Sequence, residues 1–315
     1  MRNLKVVFAT DFHGSESCFR KTFNLADRAK ADLVVLGGDW TGKALLPLIR
    51  SNGGYRAELL GQRVQTDSAE ELAELEKRVR FNGFYPFRCE QEEYDAMVAS
   101  KDFREEVFTR EMVRSVERWV DIAEDKLGSS ERICVSLPGN DDEWDIDPAL
   151  NGSGRIINSD RKLIDAGDYQ ILGFGASNAT PWKTPRELPE DEIHKSLVEL
   201  AQGATGPLIA NIHVPPYHST LDNAPQLTDD LEVVKEAGVP VIIPVGSHAV
   251  RSFIEEVEPI VGLHGHIHES RSHAKIGNAF VVNPGSVYST GVLQAAVVTV
   301  DLKKNKVKGH QFVSG

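Results

Sequence analysis

Apolar residues come in short runs along this chain, and polar residues collect where the runs end. Residues 4–10, LKVVFAT, are continuous and rich in branched side chains, the pattern of a strand buried on both faces. SESCFRKTFNLADRAKA follows with helical spacing, and DLVVLGGD (32–39) is a second buried strand. This strand, helix, strand order predicts parallel pairing with helices covering the sheet. The span from about 43 to 130 reads differently. Ser68 and Glu71 form a capping box ahead of a helical run. Phe103, Val107, Val113, Val116, Val120, Ala123 and Leu127 then recur three, four or six apart, with Gly128 as a stop signal. A helical insertion is expected here, serving as a cap over a site or as an interaction arm.

RICVSLPGND (132–141) resumes the strand pattern, and residues 155–177 read as a meander of short strands with turn residues between them. GPLIANIHV (206–214) is another buried strand. Helices are expected near 229–237 and 248–257. PIVGLHG, NAFVVNPGS and LQAAVVTVDL supply the last strands. With no internal repeat and no low-complexity linker, one domain over 1–315 carrying the insertion is the expected organisation.

Composition adds exclusions. The chain has 315 residues, 41% hydrophobic and 26% charged, which is enough apolar material for a sizeable core. A net charge of -12 argues against an extended nucleic-acid or membrane surface. The apolar run at the N-terminus is too short for a signal peptide and meets Asp11 at once. No stretch approaches the roughly 18 apolar residues of a membrane span. Cys18, Cys89 and Cys134 stand apart and are odd in number, so a reducing, cytoplasmic setting is expected.

The polar clusters share one kind of address. Asp11 and His13, Asp39, Asn140 and Asp141, His213, and the triplet His264, His266 and His268 each follow an apolar strand. In open α/β sheets, sites form in the crevice at the carboxyl ends of strands. Carboxylates, imidazoles and one amide suit Mn, Fe, Zn or Ni rather than a calcium cage. There are enough of them for two ions, and Asp39 is the natural bridge because a carboxylate has two oxygens. Two such ions can clamp an in-line displacement. Alternation would place the three histidines of HGHIH on one face, and a turn at Gly265 would let two of them aim at different ions.

In this order, the blocks DFH (Asp11, His13), GD (Gly38, Asp39), GND (Gly139 to Asp141), NIH (His213) and GHIH (Gly265 to His268) resemble the calcineurin-like metallophosphoesterases. That family's pattern is D-x-H, G-D, G-N-H-(D/E), a lone His after a strand, and G-H-x-H. The resemblance spans residues 11–268. It implies a four-layer α/β/β/α sandwich of two mixed sheets, to which this chain adds the insertion. It implies one divalent metal ion on Asp11, His13, Asp39 and His268, and a second on Asp39, Asn140, His213 and His266. Manganese is the first expectation, with Fe, Zn or Ni as alternatives. The implied activity is hydrolysis of a small phosphate ester, such as a nucleotide, by a hydroxide bridging the metals.

One position departs from the pattern. The family's third block carries a His that protonates the leaving group, and this chain has Asp141 there. An ionised carboxylate repels a phosphate dianion, whereas a buried, protonated one can donate. A phosphodiester is therefore expected over a monoester, since it brings one less negative charge. His218 is the first candidate for a replacement acid and His248 the second. Asp39, Asn140, Asp141 and His218 make up the expected catalytic set. Rival readings are a scaffold that kept the fold but lost efficient chemistry, and a protein phosphatase with an open groove; the insertion could also mediate an oligomer. GGDWTGKA also contains most of a P-loop, but Ala44 stands where Ser or Thr should hold magnesium, and Asp39 would sit inside the phosphate cradle. His264, Trp40, Trp182 and Tyr217 are expected to pack rather than to bind, and Arg251 to lie on the surface.

Overall fold

A computed structural model describes residues 3–315. Two mixed sheets dominate it. The first has six strands in the order Lys306–Ser314, Gln294–Asp301, Leu4–Ala9, Leu33–Leu36, Ile133–Ser136 and Ile157–Asn158. The last four run parallel, and Gln294–Asp301 pairs antiparallel with Leu4–Ala9. The second has Gln170–Phe174, Leu208–Ile212, Val261–Leu263 and Ala279–Asn283 in parallel, and Ser272–Ile276 antiparallel at its edge.

Strand alternation explains how the layers stack. Val6 and Phe8 point to the second sheet and meet a cluster with Ile209, Val261 and Leu263. Val7 and Ala9 point the other way, into a cluster with residues of the Glu16–Ala29 and Lys101–Leu127 helices. All four are fully buried, which is why the strand reads as one unbroken apolar run. Leu172, Ala210 and Val281 likewise turn outward from the second sheet, against the Glu190–Ala201 and His248–Val257 helices. The chain is therefore of mixed α/β class, with an apolar cluster between the sheets and helices on the outer face of each. Burying one such side chain contributes about 1.5–3 kcal/mol. Four rings tie the outer helices to the loops beyond the strands: Phe19 stacks on Trp119 with centroids 4.6 Å apart, and Phe12 and Trp40 meet at 6.4 Å.

The structure corrects three expectations. The 43–130 span is helical only in part. Its helices are Ala69–Phe81, Gln91–Ala99 and Lys101–Leu127, but they pack on a four-stranded sheet, ordered Gln62–Thr66, Gly54–Leu59, Ala44–Ser51 and Phe84–Cys89. A local signal existed. Asn52 and Gly53 have φ of 48° and 85°, and Leu60 and Gly61 have 51° and 75°, the paired positive values of tight hairpin turns. The strands they join are short and laced with charge, which hid their period. The helix expected near 229–237 is a small hairpin, Lys235–Glu236 with Val239–Pro240, turning on Ala237 and Gly238 at φ of 50° and 82°. The polar stretch before it offers too little apolar surface to anchor a helix. The 155–177 meander also divides, because Ile157–Asn158 extends the first sheet and Gln170–Phe174 begins the second.

Candidate metal centre

Parallel pairing puts the carboxyl ends of several strands side by side. Ala9 lies beside Leu36, and Leu36 beside Ser136, so the loops carrying Asp11, Asp39 and Asn140 emerge together. In the second sheet Ile209 lies beside Val261, so His213 and the HGHIH loop emerge together. Backbone bonds then join the loops. Asp11 N donates to the Gly38 carbonyl at 3.0 Å, His13 N to the Asp39 carbonyl at 2.9 Å, and Gly265 N to the His213 carbonyl at 2.8 Å. His266 N donates to the Asp11 carboxylate at 3.0 Å, linking the two sheets.

All seven side chains expected as ligands converge. Ligand atoms of Asp11, His13, Asp39 and His268 lie within 4.8 Å of one another, and those of Asp39, His213 and His266 form a second such group. Asp39 belongs to both. His13 Nε2 is 3.0 Å from His268 Nε2 and 3.4 Å from Asp39 Oδ2, and His213 Nε2 is 3.3 Å from that same oxygen. Asn140 Oδ1 lies 3.0 Å from His213 Nε2 and 2.7 Å from His266 Nδ1. Thr184 orients that amide by accepting from Asn140 Nδ2 at 2.8 Å.

Asp11, His13, Asp39 and His266 have φ of 55°, 40°, 52° and 68°, the left-handed region that side chains rarely occupy. Such backbone costs about 1–3 kcal/mol per residue and clusters at functional sites. Space is equally tight. A Cβ on Gly139 would fall 2.0 Å from Asp39 Oδ1, and one on Gly265 would fall 2.5 Å from Asp11 Oδ2.

Electrostatics follow from two aspartates buried among imidazoles. Burial works to raise the Asp39 pKa, but His213, His13 and His266 outweigh it and hold the carboxyl far below its ordinary range. Burial likewise pulls His213 down, but Asp39 and Asp11 lift it to about 10. His13 and His266 stay neutral near pH 7, because burial brings each to about 4. Donating His213 Nδ1–H to the Gly37 carbonyl, at 2.8 Å, would fix the ring with Nε2 toward the cluster. Buried carboxylates and imidazole nitrogens facing one another at 3.0–3.4 Å fit divalent cations, whose charge would offset the buried anions.

Asp141 lies at the rim. Its Oδ2 is 3.6 Å from His13 Nδ1 and 2.5 Å from Lys43 Nζ. Burial and the nearby Asp39 raise its pKa, while Lys43 opposes them. The lysine noticed as a P-loop fragment thus belongs to the cluster's edge. His218 is not brought in. It is exposed, its backbone N–H donates to Asp222 at 2.7 Å, and among the described residues it makes no hydrogen bond or ring contact with the cluster. His248 is also exposed and stacks on Tyr217 at 3.9 Å. His264 is buried between the Ile212 and Val214 carbonyls, at 2.8 and 3.1 Å. Trp40 is buried and donates to the Leu137 carbonyl, and Trp182 is exposed.

Sequence reasoning missed Asp142 and Arg186. Asp142 is fully buried and accepts from Trp40 N, Thr41 N, Thr41 Oγ1 and Gly139 N at 2.7–3.0 Å. One carboxylate therefore holds the Asp39 and Asn140 loops together. Burial and Asp39 push its pKa up to about 6, with the hydrogen bonds from Gly139, Trp40 and the Thr41 hydroxyl pulling the other way. Arg186 in turn donates to the Asp142 and Glu143 carbonyls and to Asp147. Asp142→Ala leaves three buried N–H groups without an acceptor. Urea unfolding should show a loss of about 3 kcal/mol, and turnover should fall roughly 10–100-fold as the loops loosen. Unchanged stability and rate would remove Asp142 from this role.

Paired sheets, strand-end loops and a carboxylate shared by two ligand groups thus make up the site. The chain belongs to the family of the Methanocaldococcus jannaschii protein MJ1162. The Methanocaldococcus jannaschii protein MJ1162, whose own activity is uncharacterised, is 33% identical over 184 residues, covering 58% of this chain and 72% of that protein. The crystal structure of the Thermus thermophilus protein TT1561 shares the fold with a TM-score of 0.57 and 16% identity, covering 100% of this chain and 99% of that one. No family model matches the chain. Among the described residues no helix is long and apolar enough to cross a membrane.

Proposed function

We propose that this chain is a divalent-metal-dependent phosphoesterase with a preference for phosphodiesters. The observation that carries the reading is Asp39, which is shared by two ligand groups 4.8 Å or less across. In this reading Asp11, His13, Asp39 and His268 hold one cation, and Asp39, Asn140, His213 and His266 hold the other. When bound, such a pair supplies Lewis acidity and an activated water. The chain's own residues set the rest. Gly37 orients His213, Thr184 orients Asn140, and Asp142 fixes the loops that present Asp39 and Asn140.

The diester preference comes from the rim. Where the calcineurin-like metallophosphoesterase pattern that this sequence resembles has a histidine, Asp141 and Lys43 form an ion pair. The lysine's charge is largely spent on Asp141, so a second negative charge on phosphate meets little compensation and a nearby carboxylate. A diester with a good leaving group needs little help from an acid, so we assign no part to His218.

Protein stripped of metal and resupplied with Mn, Ni, Zn or Mg should hydrolyse bis(p-nitrophenyl) phosphate at least roughly tenfold faster than p-nitrophenyl phosphate; the two share a leaving group and differ in charge, so about 1.4 kcal/mol of extra repulsion at the rim suffices. Equal rates would sink the diester preference. Bound metal with no turnover on either ester, or on cyclic nucleotides, would favour a binding scaffold instead.

A further inference from the structure

Beside the cluster, the 43–130 span forms an open cleft of about 740 Å³, within the size range of small-molecule sites. Three elements build it. Leu45 and Pro47 share a face of the Ala44–Ser51 strand, two residues apart. Tyr94, Met97 and Val98 share a face of the Gln91–Ala99 helix, and Phe108 comes from the Lys101–Leu127 helix. Val98 is 60% exposed, an apolar side chain held open to solvent at the wall of a cleft.

Lys43 connects the cleft to the cluster. It lines the cleft, and its Nζ lies 2.5 Å from the Asp141 oxygen that is itself 3.6 Å from His13. Glu143, two residues past Asp141, lines the cleft as well. A phosphate ester held at the cluster would therefore have its organic group at this opening. Charge narrows the class. Lys43 is paired with Asp141 and Glu105 with Lys101, which leaves Arg104 with Glu143 and Asp145. That balance disfavours a second phosphate.

We propose that this cleft binds the organic group of the ester, a neutral or cationic group carrying a flat apolar ring. The proposal rests on the phosphoesterase reading and adds the substrate's class to it. Two esters with the same leaving group and the same charge separate the cleft from the chemistry: phenyl p-nitrophenyl phosphate and methyl p-nitrophenyl phosphate. The phenyl ester should show a kcat/KM about tenfold higher, mainly through KM. Val98→Trp, at an exposed position, should fill the cleft and erase that advantage while leaving the methyl ester unchanged. Tyr94→Ala, which enlarges the cleft, should reduce the advantage too. Binding is read independently of turnover by saturation-transfer NMR, with diphenyl phosphate against dimethyl phosphate on metal-loaded protein. Diphenyl phosphate binding that Val98→Trp abolishes supports the cleft even if neither ester is turned over, an outcome that defeats the phosphoesterase reading alone. Equal kcat/KM for both esters and no effect of Val98→Trp on either readout would overturn the cleft proposal and leave the phosphoesterase reading standing.

Discussion

Asp39→Asn is expected to lower kcat/KM for an activated aryl phosphodiester by roughly 10³-fold or more, well beyond the 10–100-fold typical of supporting groups around a metal. The substitution keeps the side chain's shape, and the amide oxygen can still accept from Asp141 N as Oδ1 does now at 3.1 Å. It removes the charge that both ligand groups share, and that lies 3.3–3.4 Å from His213 and His13. Metal content per chain should fall along with activity. Circular dichroism should show the same secondary structure, since the loops stay joined through Asp142 and the backbone bonds from Asp11 and His13. Full activity with full metal content in the variant would defeat the shared-carboxylate reading.

Chelation is expected to abolish turnover reversibly and to change how stability depends on pH. Asp11 and Asp39 are buried as carboxylates, and His213 is the imidazole they raise, to about 10 from an ordinary 6.5. A group raised in this way adds stability that is fully present below its unfolded pKa of about 6.5 and is lost as pH rises through its folded pKa. Metal-free protein should therefore melt at progressively lower temperature between about pH 7 and pH 10. Metal-loaded protein should not, because a cation takes the place of that proton on His213. By the same exchange, metal binding should release protons and weaken as pH falls. At a hundredfold excess of metal over its Kd, each site stabilises the fold by about 2.7 kcal/mol, which calorimetry reads as a rise in Tm. A Tm indifferent to chelator at every pH would show that the cluster holds no cation in solution.

Much of this site was legible before folding, for a local reason. Asp11, Asp39, Asn140, His213 and His266 each stand just past an apolar run, where a buried strand must reach the surface. Their residue types limit the chemistry to cations and anions. Asp142 was not legible. It sits in an acidic run, DDE, that reads as a solvated turn, and only the Trp40, Thr41 and Gly139 N–H groups folding around it make a buried carboxylate stable. Arg186, in a loop with no period, is buried only because two carbonyls and Asp147 surround its guanidinium. The sheet of the 43–130 span was hidden because its strands, such as Gly54–Leu59 and Gln62–Thr66, alternate buried or half-buried with exposed positions over only a few residues.

By itself the sequence determined the buried strands, the helices with strong period, and the kinds of donor waiting at the strand ends. Each of these depends on residues close together in the chain. Only the tertiary structure decided that His13 and His268, 255 positions apart, would meet at 3.0 Å, that Lys43 would pair with Asp141, and that a cleft would open beside them. Those distances depend on strand register and on how the two sheets stack. Register and stacking emerge when distant apolar faces are buried together, and no short stretch of chain encodes them.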